Sequence, residues 1–175
     1  MRNMALIGFM GTGKTSVAKE LAKGLGKKYV STDELIVGKI GKSVERIFEE
    51  DGEKKFREME IEACKEVAGM EDIVADCGGG VVLNKINIDR LRKSCLIILL
   101  TTKPEIILKR CENSERPLLK VENKLEEIRK MLSSRKSFYE MAADYSIDTS
   151  ETDVDDIVKK IIKIWEKNAG CNRKK

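Results

Sequence analysis

The chain has 175 residues, 41% of them apolar and 37% charged, a balance expected of one soluble domain with a sizeable core. It contains no histidine, which excludes Ser-His and Cys-His nucleophile pairs and histidine metal ligands and leaves carboxylates, lysine, arginine and backbone amides to do any chemistry. The net charge of +4 is spread among acids, as where Glu49-Glu50-Asp51 precedes Lys54-Lys55, so no continuous phosphate-tracking stripe forms and no nucleic-acid partner is expected.

The first apolar run, Met4-Ala5-Leu6-Ile7, predicts a strand over 4–8 that runs straight into a glycine loop rather than a cleavage site. No run is long enough to span a bilayer, so no membrane contact and a cytoplasmic location are expected. A helix over 14–25 follows, then a strand over 29–32. Further strands are predicted at 72–76, 95–100 and 145–148, and helices at 86–93, 104–111, 123–141 and 153–166. Strands alternating with helices imply parallel pairing, and five of them make one doubly wound α/β sheet.

Two stretches interrupt the alternation. Residues 33–68 read as a helical insertion with breaks near Gly41 and Gly52, suited to a substrate lobe. Within it Phe56, Met59, Ala63, Cys64 and Val67 repeat at helical spacing, which sets Arg57 and Glu60 one turn apart on a neighbouring face, as a site pair or a solvated ion pair. Residues 112–121 contain Arg116-Pro117-Leu118-Leu119 between polar neighbours and suit a loop over the site. The expected domain covers 1–169, with a frayed tail over 170–175. The five cysteines, Cys64, Cys77, Cys95, Cys111 and Cys171, form no CxxC pair and suggest neither a disulfide framework nor a zinc site.

Gly8-Phe9-Met10-Gly11-Thr12-Gly13-Lys14-Thr15 fits GxxxxGK[ST] between a strand and a helix, as a P-loop requires. Glycines let backbone amides converge on phosphate oxygens, and the helix adds its positive end. Lys14 would reach the β and γ phosphates of ATP and Thr15 would bind magnesium, with Gly11, Thr12, Gly13 and Ser16 completing the nucleotide cradle. Asp76 closes the run Asp72-Ile73-Val74-Ala75-Asp76 in the form of a Walker B magnesium partner, and Gly78-Gly79-Gly80 then permits close approach of a ligand to the backbone. Asp76-Cys77-Gly78-Gly79 also matches the DxxG of GTPases. Their guanine-reading NKxD fails at Asn84-Lys85-Ile86-Asn87, which ends in Asn and comes too early in the chain.

Taken in order, the P-loop, Thr32-Asp33-Glu34-Leu35-Ile36, Gly52-Glu53-Lys54-Lys55-Phe56-Arg57-Glu58-Met59-Glu60, Gly78-Gly79-Gly80, Arg116-Pro117-Leu118-Leu119 and Arg135-Lys136-Ser137-Phe138-Tyr139 resemble the shikimate kinase family. The resemblance implies a three-layer α/β/α P-loop kinase fold with a five-stranded parallel sheet, a helical substrate-binding insertion and a lid. It implies that ATP, with one Mg2+ ion, phosphorylates the 3-hydroxyl of shikimate; a monomer is the default expectation. It further implies that Arg57 and Arg135 hold the substrate carboxylate, that Asp33 and the Gly78-Gly79-Gly80 loop hold its hydroxyls, and that Glu60 orients Arg57. Arg116 would reach the transferring phosphoryl group and Arg110 would lie against adenine. Lys14, Asp33 and Arg116 are the expected catalytic residues, with Asp33 positioned to take the hydroxyl proton. One departure stands out. The family usually ends its second strand with a DxD element, and this chain has Ser31-Thr32-Asp33, whereas Asp76 stands where Ser or Thr is more common. The expected magnesium residues are therefore Thr15 and Asp76. A related kinase for a sugar acid or a nucleotide, and a slow nucleotide switch, are the rival readings.

Overall fold

The computed structural model of the chain describes residues 3–111 and 121–171, with side chains as far as 168. Strand β1 (Asn3–Ile7) leads through the glycine loop to helix α1 (Lys14–Leu25) and strand β2 (Lys28–Ser31). Three helices then intervene, α2 (Thr32–Ile40), α3 (Val44–Glu50) and α4 (Gly52–Gly69), before strand β3 (Ile73–Asp76). The chain continues through a single 3-10 turn at Val81–Leu83, α5 (Lys85–Ser94), β4 (Cys95–Thr101), α6 (Pro104–Cys111), α7 (Lys124–Ala142), β5 (Tyr145–Asp148) and α8 (Val154–Cys171).

All strand pairs are parallel, in the order β2-β3-β1-β4-β5. Met4 and Leu6 face a layer built from α1 and α8, where Val17, Leu21, Ile161 and Trp165 meet them. Ala5 and Ile7 point the other way, toward Cys64, Leu91, Ile107 and Ile128. Because both faces are covered, β1 and β4 read as unbroken apolar runs rather than alternating ones. Each fully buried aliphatic side chain of this kind contributes about 1.5–3 kcal/mol. The insertion has a small core of its own, Ile36, Ile47, Phe56 and Ala63.

Helix ends follow their local chemistry. Ser31, Ser43, Asn84 and Asn123 each cap a helix through a side-chain oxygen that accepts a backbone N–H. The sequence breaks at Gly41 and Gly52 are the left-handed end of α2 and the start of α4.

Three local expectations change. Asp72, expected to open β3, precedes it in a left-handed conformation that Asp tolerates, with an ion pair to Lys27 at 3.0 Å. Helix α8 runs to Cys171 rather than ending at Glu166, so it takes in the first two positions assigned to a tail; a single glycine in a helix weakens it by about 1 kcal/mol without ending it. In α4 the inward position expected for Met59 belongs to Glu60, which is fully buried, while Met59 is half-buried. A carboxylate is tolerated there because Arg57, one turn back, supplies the opposite charge.

Among the described residues no helix is long and apolar enough to cross a membrane. Cys64, Cys77, Cys95 and Cys111 are buried, and burial raises the thiols of Cys64 and Cys77 above the ordinary range.

Candidate active site

The candidate nucleotide half is built at the C-terminal end of β1. Gly13, in a left-handed conformation, precedes α1 without a side-chain cap, which leaves the first-turn amides directed at an incoming anion. Thr12 is buried and donates its hydroxyl to the Phe9 carbonyl at 2.8 Å, stitching the loop together from within. Lys14 is 9% exposed, and its ammonium donates to the same carbonyl at 3.1 Å. Thr15 and Ser16 face outward at the start of α1. Arg110, at the end of α6, donates to the Gly11 carbonyl and to the Thr149 carbonyl, each at 3.1 Å. It thereby joins the P-loop to the segment after β5. Arg116 lies outside the described residues.

At the neighbouring strand ends the Thr15 hydroxyl donates to Asp76 Oδ2 at 2.6 Å. Asp76 is 7% exposed and pairs in register with Ser31 on β2. Ser31 itself is occupied as the cap of α2, accepting the Glu34 amide at 3.3 Å. Next to it, the buried Thr32 hydroxyl accepts the Gly78 amide at 2.9 Å and ties the triple-glycine loop to the start of α2. Asp33 occupies the first turn of α2, where the positive helix end favours a carboxylate.

The candidate acceptor half is a cluster of charges around that loop. Arg57, its side chain 17% exposed, donates to Glu60 at 3.1 Å and to Glu53 at 2.9 Å, and its guanidinium lies 5.4 Å from the Phe56 ring centre. Burial pushes the Glu60 carboxyl up to about 7 against the opposing pull of the Arg57 charge. Glycine is required at two positions for space. A Cβ on Gly78 would lie 2.6 Å from Asp33 Oδ1 and 3.0 Å from Glu60 Oε1, and one on Gly80 would overlap the Arg57 guanidinium. Gly79 packs against the P-loop, its Cβ position 3.5 Å from the Met10 amide nitrogen. Arg135 extends from α7 over the Phe9 ring at 5.7 Å.

The predicted residues that the structure describes thus fall into two adjoining groups with the triple-glycine loop between them. Two participants were given no role by the sequence, although Tyr139 closes the Arg135-Lys136-Ser137-Phe138-Tyr139 motif. Thr149, 1% exposed, donates its hydroxyl to the Thr12 carbonyl at 2.9 Å. Tyr139 donates to the Gly79 carbonyl, and burial raises its phenol to about 12. The failed guanine motif has a structural explanation as well: Asn84 caps α5 and Asn87 is buried, donating to the Val81 carbonyl.

Comparison with known proteins settles the family. A family model described as shikimate kinase matches residues 10–166. The chain belongs to the shikimate kinase family. It is 42% identical over 171 residues to the shikimate kinase of Caldanaerobacter subterraneus subsp. tengcongensis, covering 97% of this chain and 99% of that one. It is also 42% identical over 161 residues to the shikimate kinase of Geobacter sulfurreducens, covering 91% and 88% respectively. Among solved structures it superposes on shikimate kinase from Acinetobacter baumannii in complex with shikimate with a TM-score of 0.92 and 33% identity, covering 96% of this chain and 94% of that one. The Aquifex aeolicus shikimate kinase gives 0.80 and 30%, covering 95% and 98%. The expected α/β/α fold, its parallel sheet and the kinase class therefore hold.

Proposed function

We propose that the two groups of residues are the two halves of one phosphoryl-transfer site, divided by the triple-glycine loop. The reaction is ATP-dependent phosphorylation of shikimate, and a sugar-acid or nucleotide acceptor is not favoured. The observation that carries the residue assignment is the loop's position: Gly79 lies against the P-loop backbone, while Gly78 and Gly80 lie against Asp33, Glu60 and Arg57.

In this reading the amides of Gly11, Thr12 and Gly13 and the first turn of α1 cradle the phosphates. Lys14 leaves the Phe9 carbonyl to offset charge on the transferring group. Arg110 flanks adenine, and Arg116, outside the described residues, keeps its assignment to the same phosphoryl group. Arg57 and Arg135 hold the carboxylate of shikimate, each offering a planar fork that matches it. Asp33, with the Gly79 and Gly80 amides, orients the 3-hydroxyl. Its oxygen attacks the γ phosphorus, the bond to the bridging oxygen breaks to release ADP, and the hydroxyl proton passes to Asp33. Every proposed ligand of both substrates comes from one chain, so a monomer suffices.

The family's reaction uses ATP with Mg2+. Thr15 Oγ1 and Asp76, in contact at 2.6 Å, form the hard-oxygen pair that this ion prefers. The ion supplies charge neutralisation on the phosphate oxygens. Asp76 stands in register beside Ser31, the position where the family usually carries an aspartate, so the carboxylate has moved across one strand while Ser31 serves as a helix cap.

Coupled ADP release measured against free magnesium tests this assignment. Asp76→Ala is expected to raise the magnesium needed for half-maximal rate by about 10–100-fold at saturating shikimate. An unchanged magnesium dependence would remove Asp76 from the metal site.

A further inference from the structure

Glu60 is the most enclosed charged side chain of the acceptor half, with no exposed surface. One carboxylate oxygen, Oε2, accepts from Arg57, and among the described residues the other, Oε1, accepts no hydrogen bond. A buried carboxylate oxygen in that state is expensive unless it carries a proton. Around Glu60 stand Asp33 from α2, Arg57 and Cys64 from α4, Cys77 just after β3, Arg90 from α5 reaching the Ile61 carbonyl, and Arg135 and Tyr139 from α7. Glu60 Oε1 and Asp33 Oδ1 both lie within 3.0 Å of the point where a side chain on Gly78 would begin, so the two carboxyl groups converge on one spot.

An anion arriving at Arg57 changes this balance in two ways. It shares the guanidinium that now stabilises the Glu60 charge, and it adds a negative neighbour. We propose that binding of the shikimate carboxylate is coupled to uptake of one proton by Glu60, so that the occupied site holds Glu60 as a neutral acid. The inference rests on Arg57 receiving that carboxylate. The proton comes from solvent and sits on Glu60 Oε1, which becomes a donor directed at Asp33. Repulsion between the two carboxyl groups is relieved, and Arg57, still paired with Glu53 at 2.9 Å, loses the competing Glu60 charge and turns more fully to the substrate. Burial already brings Glu60 to about 7 in the empty site, so a modest change of field decides its protonation near neutral pH. Burial raises the Cys64 and Cys77 thiols and the Tyr139 phenol, away from neutral pH.

Calorimetric titration of the full chain with shikimate, without nucleotide, at about pH 8 in phosphate and in Tris, reads the proton directly, because a proton taken from buffer adds that buffer's ionisation heat. Expected for the wild type is an uptake approaching one proton, with affinity falling by up to about tenfold per pH unit above about pH 7. In Glu60→Gln both the buffer dependence and the pH dependence disappear. Wild-type binding without uptake, or uptake that survives in E60Q, overturns the proposal. Arg57→Ala is run beside them, and unchanged affinity in that variant overturns the Arg57 assignment instead. Should E60Q fail to fold, wild-type protein with 13C-labelled glutamate carboxyls serves in its place. One resonance is expected to titrate near pH 7 when the site is empty and to remain protonated there with shikimate, and a resonance unmoved by shikimate overturns the coupling.

Discussion

The nucleotide half and the acceptor half adjoin but are built on different physics. Around the P-loop, binding capacity lies in the backbone: uncapped amides at the start of α1, glycine conformations and carbonyls tied down by Thr12, Thr149 and Arg110. Around α4 it lies in side-chain charge, with Glu60 and Arg57 held out of water by α2, α7 and the triple-glycine loop. Backbone dipoles in a loop of fixed shape suit a ligand rich in phosphate oxygens. Buried, convergent charges suit a small acid that must be told apart from its neutral relatives. The difference teaches that the first half is arranged before any ligand arrives, whereas the second holds a buried carboxyl that, in the proposal above, its ligand neutralises.

The largest effect that separates the halves is expected at Lys14. Lys14→Ala should lower kcat by about 10³-fold, roughly 4 kcal/mol, while leaving shikimate affinity in the absence of nucleotide near the wild-type value. Steady-state kinetics together with shikimate titration check this, and a matching loss of shikimate affinity would mean that the halves are not separable.

A smaller effect should appear in the stability of the empty protein. The folded-state value for Glu60 is about 7 against an ordinary 4.5, so between those values the folded protein holds a proton that the unfolded chain has released. This group's contribution is therefore present below about pH 4.5 and is lost as pH rises toward 7, at no more than about 1.4 kcal/mol per pH unit. Denaturant unfolding of ligand-free protein across that window should show the decline in the wild type and a flatter profile in E60Q. Equal slopes would place the Glu60 carboxyl in a more polar setting than its burial indicates.

Much of the nucleotide half was legible in the sequence because its chemistry is local. Eight consecutive residues from Gly8 to Thr15 carry the loop, and a short apolar run ending in Asp76 marks its partner. The contacts that complete it were not legible, since Thr149 meets the Thr12 carbonyl from 137 positions away and nothing in its immediate neighbourhood distinguishes it. In the acceptor half, helical spacing placed Arg57 and Glu60 one turn apart, but it could not say which way the pair faces. Periodicity favoured Met59 as the core residue because an apolar side chain ordinarily takes the inward position. The neighbours that surround Glu60, Asp33, Arg135 and the glycine loop, are all brought in by the tertiary fold. Ser31 shows the same limit. A missing aspartate could be seen in the sequence, but the cap it provides for α2 and its register with Asp76 needed the sheet.

The central claim is that the acceptor half recognises a carboxylate through buried charge. It is tested most directly by comparing kcat/KM for shikimate and for its uncharged carboxamide in the wild type and in Arg57→Ala. The expected result is a wild-type preference for the acid of about a hundredfold that largely collapses in the variant. Equal use of acid and amide by the wild type, or a full preference retained without Arg57, would contradict it.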